Sequence, residues 1–203
     1  MKWAVSREEQ MNTSVAVESG IEVEPSPRRF TVDEFQRMGE AGIFAPDERL
    51  ELIDGEVIQM TPVGPRHIWT VIHLNAYFTA LLRGEFFVSP QLPVQLAVQQ
   101  LNPDFAILRL RSSTDAVPQP ADCVLLIEVS DSTAKFDRTK KRRLYADANV
   151  AEYWVLDLSK NSVVVHRSPR SGDYRQVDEY PRGVSFNSPA LGGREFRVED
   201  LLK

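Results

Sequence analysis

One segment constrains this chain more than any other: residues 122–130, DCVLLIEVS. In an extended strand, alternate side chains point to opposite faces. Cys123, Leu125, Ile127 and Val129 then share one face, and Val124, Leu126, Glu128 and Ser130 take the other. Apolar residues on both faces predict a central strand covered on both sides. Glu128 is the misfit. An ionised carboxylate is seldom buried unless it is paired or binds a metal, because losing its water is expensive. The plain alternative is a carboxylate at the strand end that reaches solvent or an arginine.

The rest of the chain supplies partners for such a strand. Thr31 and Glu34 have capping-box spacing and predict a short helix ending near Gly42. Asp54-Gly55 separates two apolar-rich runs within residues 50–60, a hairpin signal. Pro65 opens a long helix to about Arg83, with Ile68, Val71, Ile72, Asn75, Phe78, Thr79 and Leu82 at helical spacing and Gly84 as its stop. Short strands are expected at 86–89, 94–98 and 104–110. A basic helix is expected from Asp137, as N-cap, to Ala148. Residues 152–158 and 162–167 read as a second hairpin, and a β-rich end closes with a turn at 198–202. This order implies an α/β or α+β fold: a mixed central sheet flanked by helices, with an added β-rich C-terminal part. Residues 1–29 read as a polar tail, within which Met11 is an alternative start, and 30–203 as a single domain.

Composition narrows the functional classes. The 203 residues are 42% hydrophobic and 26% charged, ordinary values for a globular chain. A single cysteine, Cys123, excludes an intrachain disulfide and a cysteine-built zinc site. No apolar run is long enough to cross a bilayer, and no secretory signal is visible. A cytoplasmic protein with no membrane role is the expectation. The net charge of −5 gives no overall attraction to nucleic acid. A local basic patch does exist: KFDRTKKRR, residues 135–143, holds six basic side chains and one acidic.

Four positions can carry chemistry. Glu128 is the first. Asp104, in NPDFAIL, opens another strand; paired with Glu128 from a neighbouring strand, it suits Mg²⁺ or Mn²⁺, which prefer oxygen ligands. Lys141 shares a helix face with Leu144, Tyr145 and Ala148, so its stem either packs with its head in water or its amine points inward. Glu51 shares a face with Ile53, and an edge-strand carboxylate facing water is its bland reading.

Read together, RLELIDGEVIQMTPVGPRH, NPDFAIL and LIEVSDSTAKFDRTKKRRLYADANVAEYWVLD resemble the PD-(D/E)XK nuclease superfamily, and its Uma-two branch most closely. The resemblance implies a restriction-endonuclease-like fold and a metal-dependent endonuclease acting on DNA. By position it makes Asp104 and Glu128 the ligands of Mg²⁺ or Mn²⁺, with the Val129 carbonyl a third, and places Glu51 and Lys141 in the catalytic set. His67 matches a recurrent position, with a cap or core role favoured over ligation. The superfamily's usual lysine position is Ser130 here. Lys141 on the following helix takes the role, with Lys140 and Lys135 as rivals, and Asp131 stands where relatives often carry proline. Beside this site, Lys135, Arg138, Lys140, Arg142 and Arg143 are read as exposed contacts to the nucleic-acid backbone. Two alternatives stand: a nuclease fold kept as a weak or inactive binding module, and a structural homodimer using Tyr153 and Trp154.

Overall fold

The computed structural model describes residues 26–111 and 115–202. Most of the expected tail, including Met11, lies outside the described residues. At Thr31 the predicted cap forms: its hydroxyl accepts from Glu34 N–H, and the Glu34 carboxylate accepts from Thr31 N–H, opening α1 (Val32–Glu40). The Asp54-Gly55 pair joins β1 (Leu50–Ile53) to β2 (Glu56–Gln59) with both residues at positive φ, as a two-residue hairpin turn demands. A β-carbon on Gly55 would lie 2.6 Å from Arg29 Cβ, so the turn also needs the empty space.

Next come α2 (Pro65–Leu81), β3 (Phe86–Pro90), β4 (Val94–Leu96), β5 (Gln99–Leu101), β6 (Phe105–Arg109) and β7 (Cys123–Ser130). Three contiguous helical pieces follow: α3 (Ala134–Phe136), a π-helical turn (Asp137–Lys141) and α4 (Arg142–Asp147). The chain then forms β8 (Glu152–Asp157), β9 (Ser162–Arg170), β10 (Asp173–Pro181), β11 (Ser185–Ser188), β12 (Arg194–Arg197) and α5 (Val198–Leu201).

A six-stranded sheet of order β10-β9-β8-β7-β6-β3 is the centre of the molecule. Only β7 and β8 run parallel in it, so the sheet is mixed and residues 131–151 cross over one face to join them. On the other face, Val71, Leu74 and Phe78 of α2 pack on Phe105, Ile127 and Trp154. The crossover face meets α4 and a four-stranded sheet, β2-β1-β5-β4. That second sheet lies between α1, which covers Leu52, and the large sheet, which covers Ile53, Val94, Leu96 and Leu101. The architecture is therefore α/β, with a mixed central sheet, flanking helices and smaller added sheets.

Several expectations need correction. A β-bulge shifts the β6–β7 register between Ile107 and Leu108, so Cys123 joins Leu126 on the crossover face and Val124 joins the α2 face. On α2, Ile68 and Ile72 face outward, while His67, Thr70, Val71, Leu74 and Phe78 are buried. Asp137 is not an N-cap. It is buried within the helical run, and its carboxylate accepts from Ser130 Oγ (2.6 Å) and Thr133 Oγ1 (2.7 Å). Tyr153 and Trp154 are fully buried and cannot form an interface.

Candidate active site

β7 is buried along its whole length, and Glu128 near its end is only 4% exposed. The β6–β7 register, Phe105↔Ile127, continued by one residue sets Asp104 opposite Glu128. Asp104 is fixed by three donors. Val129 N–H reaches its Oδ2 at 2.8 Å, His67 Nε2 the same oxygen at 3.0 Å, and Gln91 Nε2 its Oδ1 at 3.3 Å. Burial alone would raise the Asp104 pKa. The His67 bond and charge, the Val129 amide and Lys141 outweigh it, and the carboxyl sits below its ordinary value. An ionised Asp104 only accepts, so His67 Nε2 carries the hydrogen. His67 Nδ1 is left buried without a hydrogen-bond partner.

Glu51 arrives from the second sheet. Its strand is interior to that sheet, between β2 and β5, so it is not an edge carboxylate facing water. It is 1% exposed. Its Oε1 accepts from Asn102 N–H and from Lys141 Nζ, both at 3.0 Å, while Oε2 is buried with no hydrogen-bond partner. The Lys141 ammonium is the hub. It donates to Glu51 and, at 2.9 Å, to Glu128 Oε1, which also accepts from Tyr145 OH at 2.8 Å. The π turn supplies this placement. Arg142 N–H bonds back to Asp137 O, five residues earlier, and the widened turn ends on the buried Lys141.

The electrostatics follow from crowding. Burial pushes the Glu128 carboxyl well above the ordinary range; Lys141 opposes this, and the Asp137, Asp104 and Glu51 charges add to it. For Lys141, burial favours the neutral amine, but the Glu128, Glu51 and Asp137 carboxylates prevail and hold its pKa above the ordinary value. Two upward shifts in one ion pair pull against each other. The direction that stands is the protonated Lys141, because two carboxylates bracket it within hydrogen-bond distance. Tyr145, pushed up by burial and by Glu128 and Glu51, keeps its proton and donates.

Glu51, Asp104, Glu128, Val129 and Lys141 all line one cavity of about 70 Å³, with His67, Asp131 and Asp137. No group of three or more His, Cys, Asp or Glu among the described residues forms a ready-made metal cage. The hard oxygens of Asp104 and Glu128 suit an ion such as Mg²⁺ that keeps much of its water.

The basic cluster is largely committed elsewhere. Arg138 pairs with Asp157 (2.8 Å) and Glu179 (3.2 Å), Arg142 with Asp173 (2.8 Å), and Lys140 with Asp54. These three are half-buried rather than exposed; only Lys135 and Arg143 of the five remain exposed and without an ion pair. Sequence reasoning missed the role of Tyr145, although its position four residues after Lys141 was a usable signal. It also missed the Asp104–His67 bond, for which spacing gave none.

The comparisons with known proteins bear on the family and the fold. A family model described as "Uma2: Putative restriction endonuclease" matches residues 32–199. A crystal structure from Anabaena variabilis, described as "a putative nuclease belonging to DUF820", superposes with a TM-score of 0.67 at 15% identity, covering 85% of this chain and 97% of that one. That likeness carries the fold. No curated protein matches the chain. With its family model spanning most of the described residues, the chain belongs to the Uma2 family, the restriction-endonuclease-like group.

Proposed function

We propose that the protein is a metal-dependent endonuclease that hydrolyses phosphodiester bonds, with DNA as its substrate. The observation that carries this reading is the clasp of Lys141 between Glu51 and Glu128, in the cavity that Asp104 also lines. Asp104 and Glu128 would hold Mg²⁺ or Mn²⁺, with the Val129 carbonyl as a third ligand. The bound ion supplies water activation and charge neutralisation at the phosphate. Lys141 places a preorganised positive charge where negative charge builds on the non-bridging oxygens. Glu51 orients that ammonium. Tyr145, donating to Glu128 Oε1, leaves the other carboxylate oxygen for the ion. Lys135 and Arg143 contact the backbone of the substrate.

The test is incubation of purified protein with supercoiled plasmid across a Mg²⁺ and Mn²⁺ titration. Nicking that needs the ion, and that disappears in Glu128→Ala and Lys141→Ala while both variants stay folded, is the expected result. Absence of nicking at every ion concentration would sink the enzyme reading. A second reading, a nuclease fold kept for binding, draws on two observations. Ser130 holds Asp137 where the superfamily lysine would stand, and three of the five basic side chains are already paired. Metal-independent DNA binding without cleavage is its signature.

A further inference from the structure

The catalytic cavity opens into a surface groove of about 660 Å³, and the two share Arg49, Met60, Thr61, Pro62 and Val63. Arg49 immediately precedes β1. Its carbonyl accepts from Met60 N–H at 2.8 Å, which extends the β1–β2 ladder one pair beyond Leu50↔Gln59. Strand alternation then places residues 49, 51 and 53 on one face. Glu51 and Ile53 are buried there, and Arg49 is half-buried at the mouth.

Among the described residues Arg49 has no side-chain hydrogen-bond or ion-pair partner, although the same cavity holds Glu51, Asp104 and Asp131. Among the described residues, every other arginine that is not exposed, namely Arg138, Arg142, Arg167 and Arg194, pairs with a carboxylate. A guanidinium that is partly stripped of water and unpaired is a fork ready for a planar anion or a phosphate. Asp47 and Glu48 line the groove but not the cavity, and their charge disfavours a polyanion along the groove. Of the five residues that cavity and groove share, Arg49 alone is charged, so the shared mouth is the favourable position for a phosphate.

We infer that Arg49 grips a backbone phosphodiester of the bound strand next to the one that is cut. This rests on the nucleic-acid reading above and adds a substrate-binding residue that the basic cluster does not contain. Fluorescence anisotropy with a labelled DNA duplex tests it, in Ca²⁺ buffer with strand integrity checked on a gel, across a salt titration. Arg49→Gln is expected to bind about tenfold more weakly at low salt, with the slope of log affinity against log salt shallower by about 0.9, the value for one lost phosphate contact. Arg49→Lys keeps the charge and is expected to keep the slope. Equal slopes for wild type and Arg49→Gln, with both melting alike, overturn the assignment while leaving the nuclease reading intact. A wild-type protein that binds no DNA at any salt brings down both.

Discussion

Two buried glutamates, Glu128 and Glu152, lie on neighbouring parallel strands and have opposite surroundings. Glu152, 1% exposed, is saturated. Its Oε1 accepts from Trp154 Nε1 at 2.8 Å and faces Arg167 Nε at 3.4 Å; its Oε2 accepts from Ser188 Oγ at 3.0 Å and Ala190 N–H at 3.2 Å. It ties β8 to β9, β11 and the turn after β11. Glu128 has both donors on one oxygen, borders a cavity, and shares Lys141 with Glu51, whose Oε2 has no hydrogen-bond partner among the described residues. Burial alone does not separate a structural carboxylate from a working one. What differs between these two is the acceptor capacity left unspent on Glu128.

The contrast can be broken most forcefully at Glu152. Its replacement by alanine leaves buried Arg167 with Asp178 as its one carboxylate partner, and strips Trp154 Nε1, Ser188 Oγ and Ala190 N–H of their acceptor. We expect a loss of about 3–5 kcal/mol in urea denaturation. A loss below about 1 kcal/mol would show that Glu152 is no more structural than Glu128.

Glu128→Gln comes next. It keeps the shape but removes a charge that the crowded site holds unwillingly, so folding should change little. Plasmid cleavage per folded molecule is expected to fall by at least about 100-fold. Retained cleavage would dissolve the distinction from the other side.

A third buried group, His166, tests whether saturation extends beyond carboxylates. It stacks on Tyr153, hydrogen-bonds to the Tyr153 carbonyl through Nδ1, and is pushed down by burial to about 4. The unfolded chain takes up this proton first as pH falls, near the ordinary value of 6.5. The stability is therefore present above that value and lost between it and about 4. The shift corresponds to about 3 kcal/mol across that window. Unfolding free energies measured along the window should slope upward with pH, and His166→Gln should flatten the slope. An unchanged slope would reject the assignment.

The smallest effect is expected at Tyr145. Tyr145→Phe removes one donor to Glu128 and should lower stability by about 1 kcal/mol in the same urea experiment. Isothermal titration should show weaker Mn²⁺ binding, because Glu128 then loses one of the two donors that orient it. Unaltered ion affinity would make Tyr145 a packing residue only.

Much of this was legible in the chain because local chemistry and distant packing agreed. The Thr31 cap, the Asp54-Gly55 turn and the doubly apolar β7 each formed where their residues require. Glu128 was conspicuous as a charge in an apolar strand, and Lys141 by its helical phase with Tyr145. Other features depend on encounters that spacing does not encode. Ile68 and Val71 are equally apolar, and only the position of the sheet decides which is covered. The bulge at Cys123 and Val124 exchanges two small apolar residues that satisfy either face. The acids that claim Arg138, Lys140 and Arg142 come from three separate segments: the β1–β2 turn at Asp54, β8 at Asp157, and β10 at Asp173 and Glu179. A basic run looks free in a linear string because its partners are remote in it.

The single parallel pair, β7 and β8, has a consequence for how such a centre is supplied. A tight turn cannot join two strands that point the same way, so the polypeptide must arch over the sheet before it can rejoin it. Whatever rides on that arch is carried past the tip of β7 where Glu128 stands. An amine need not be encoded next to its carboxylate to meet it; chain direction makes the delivery, and the address along the backbone is free to drift.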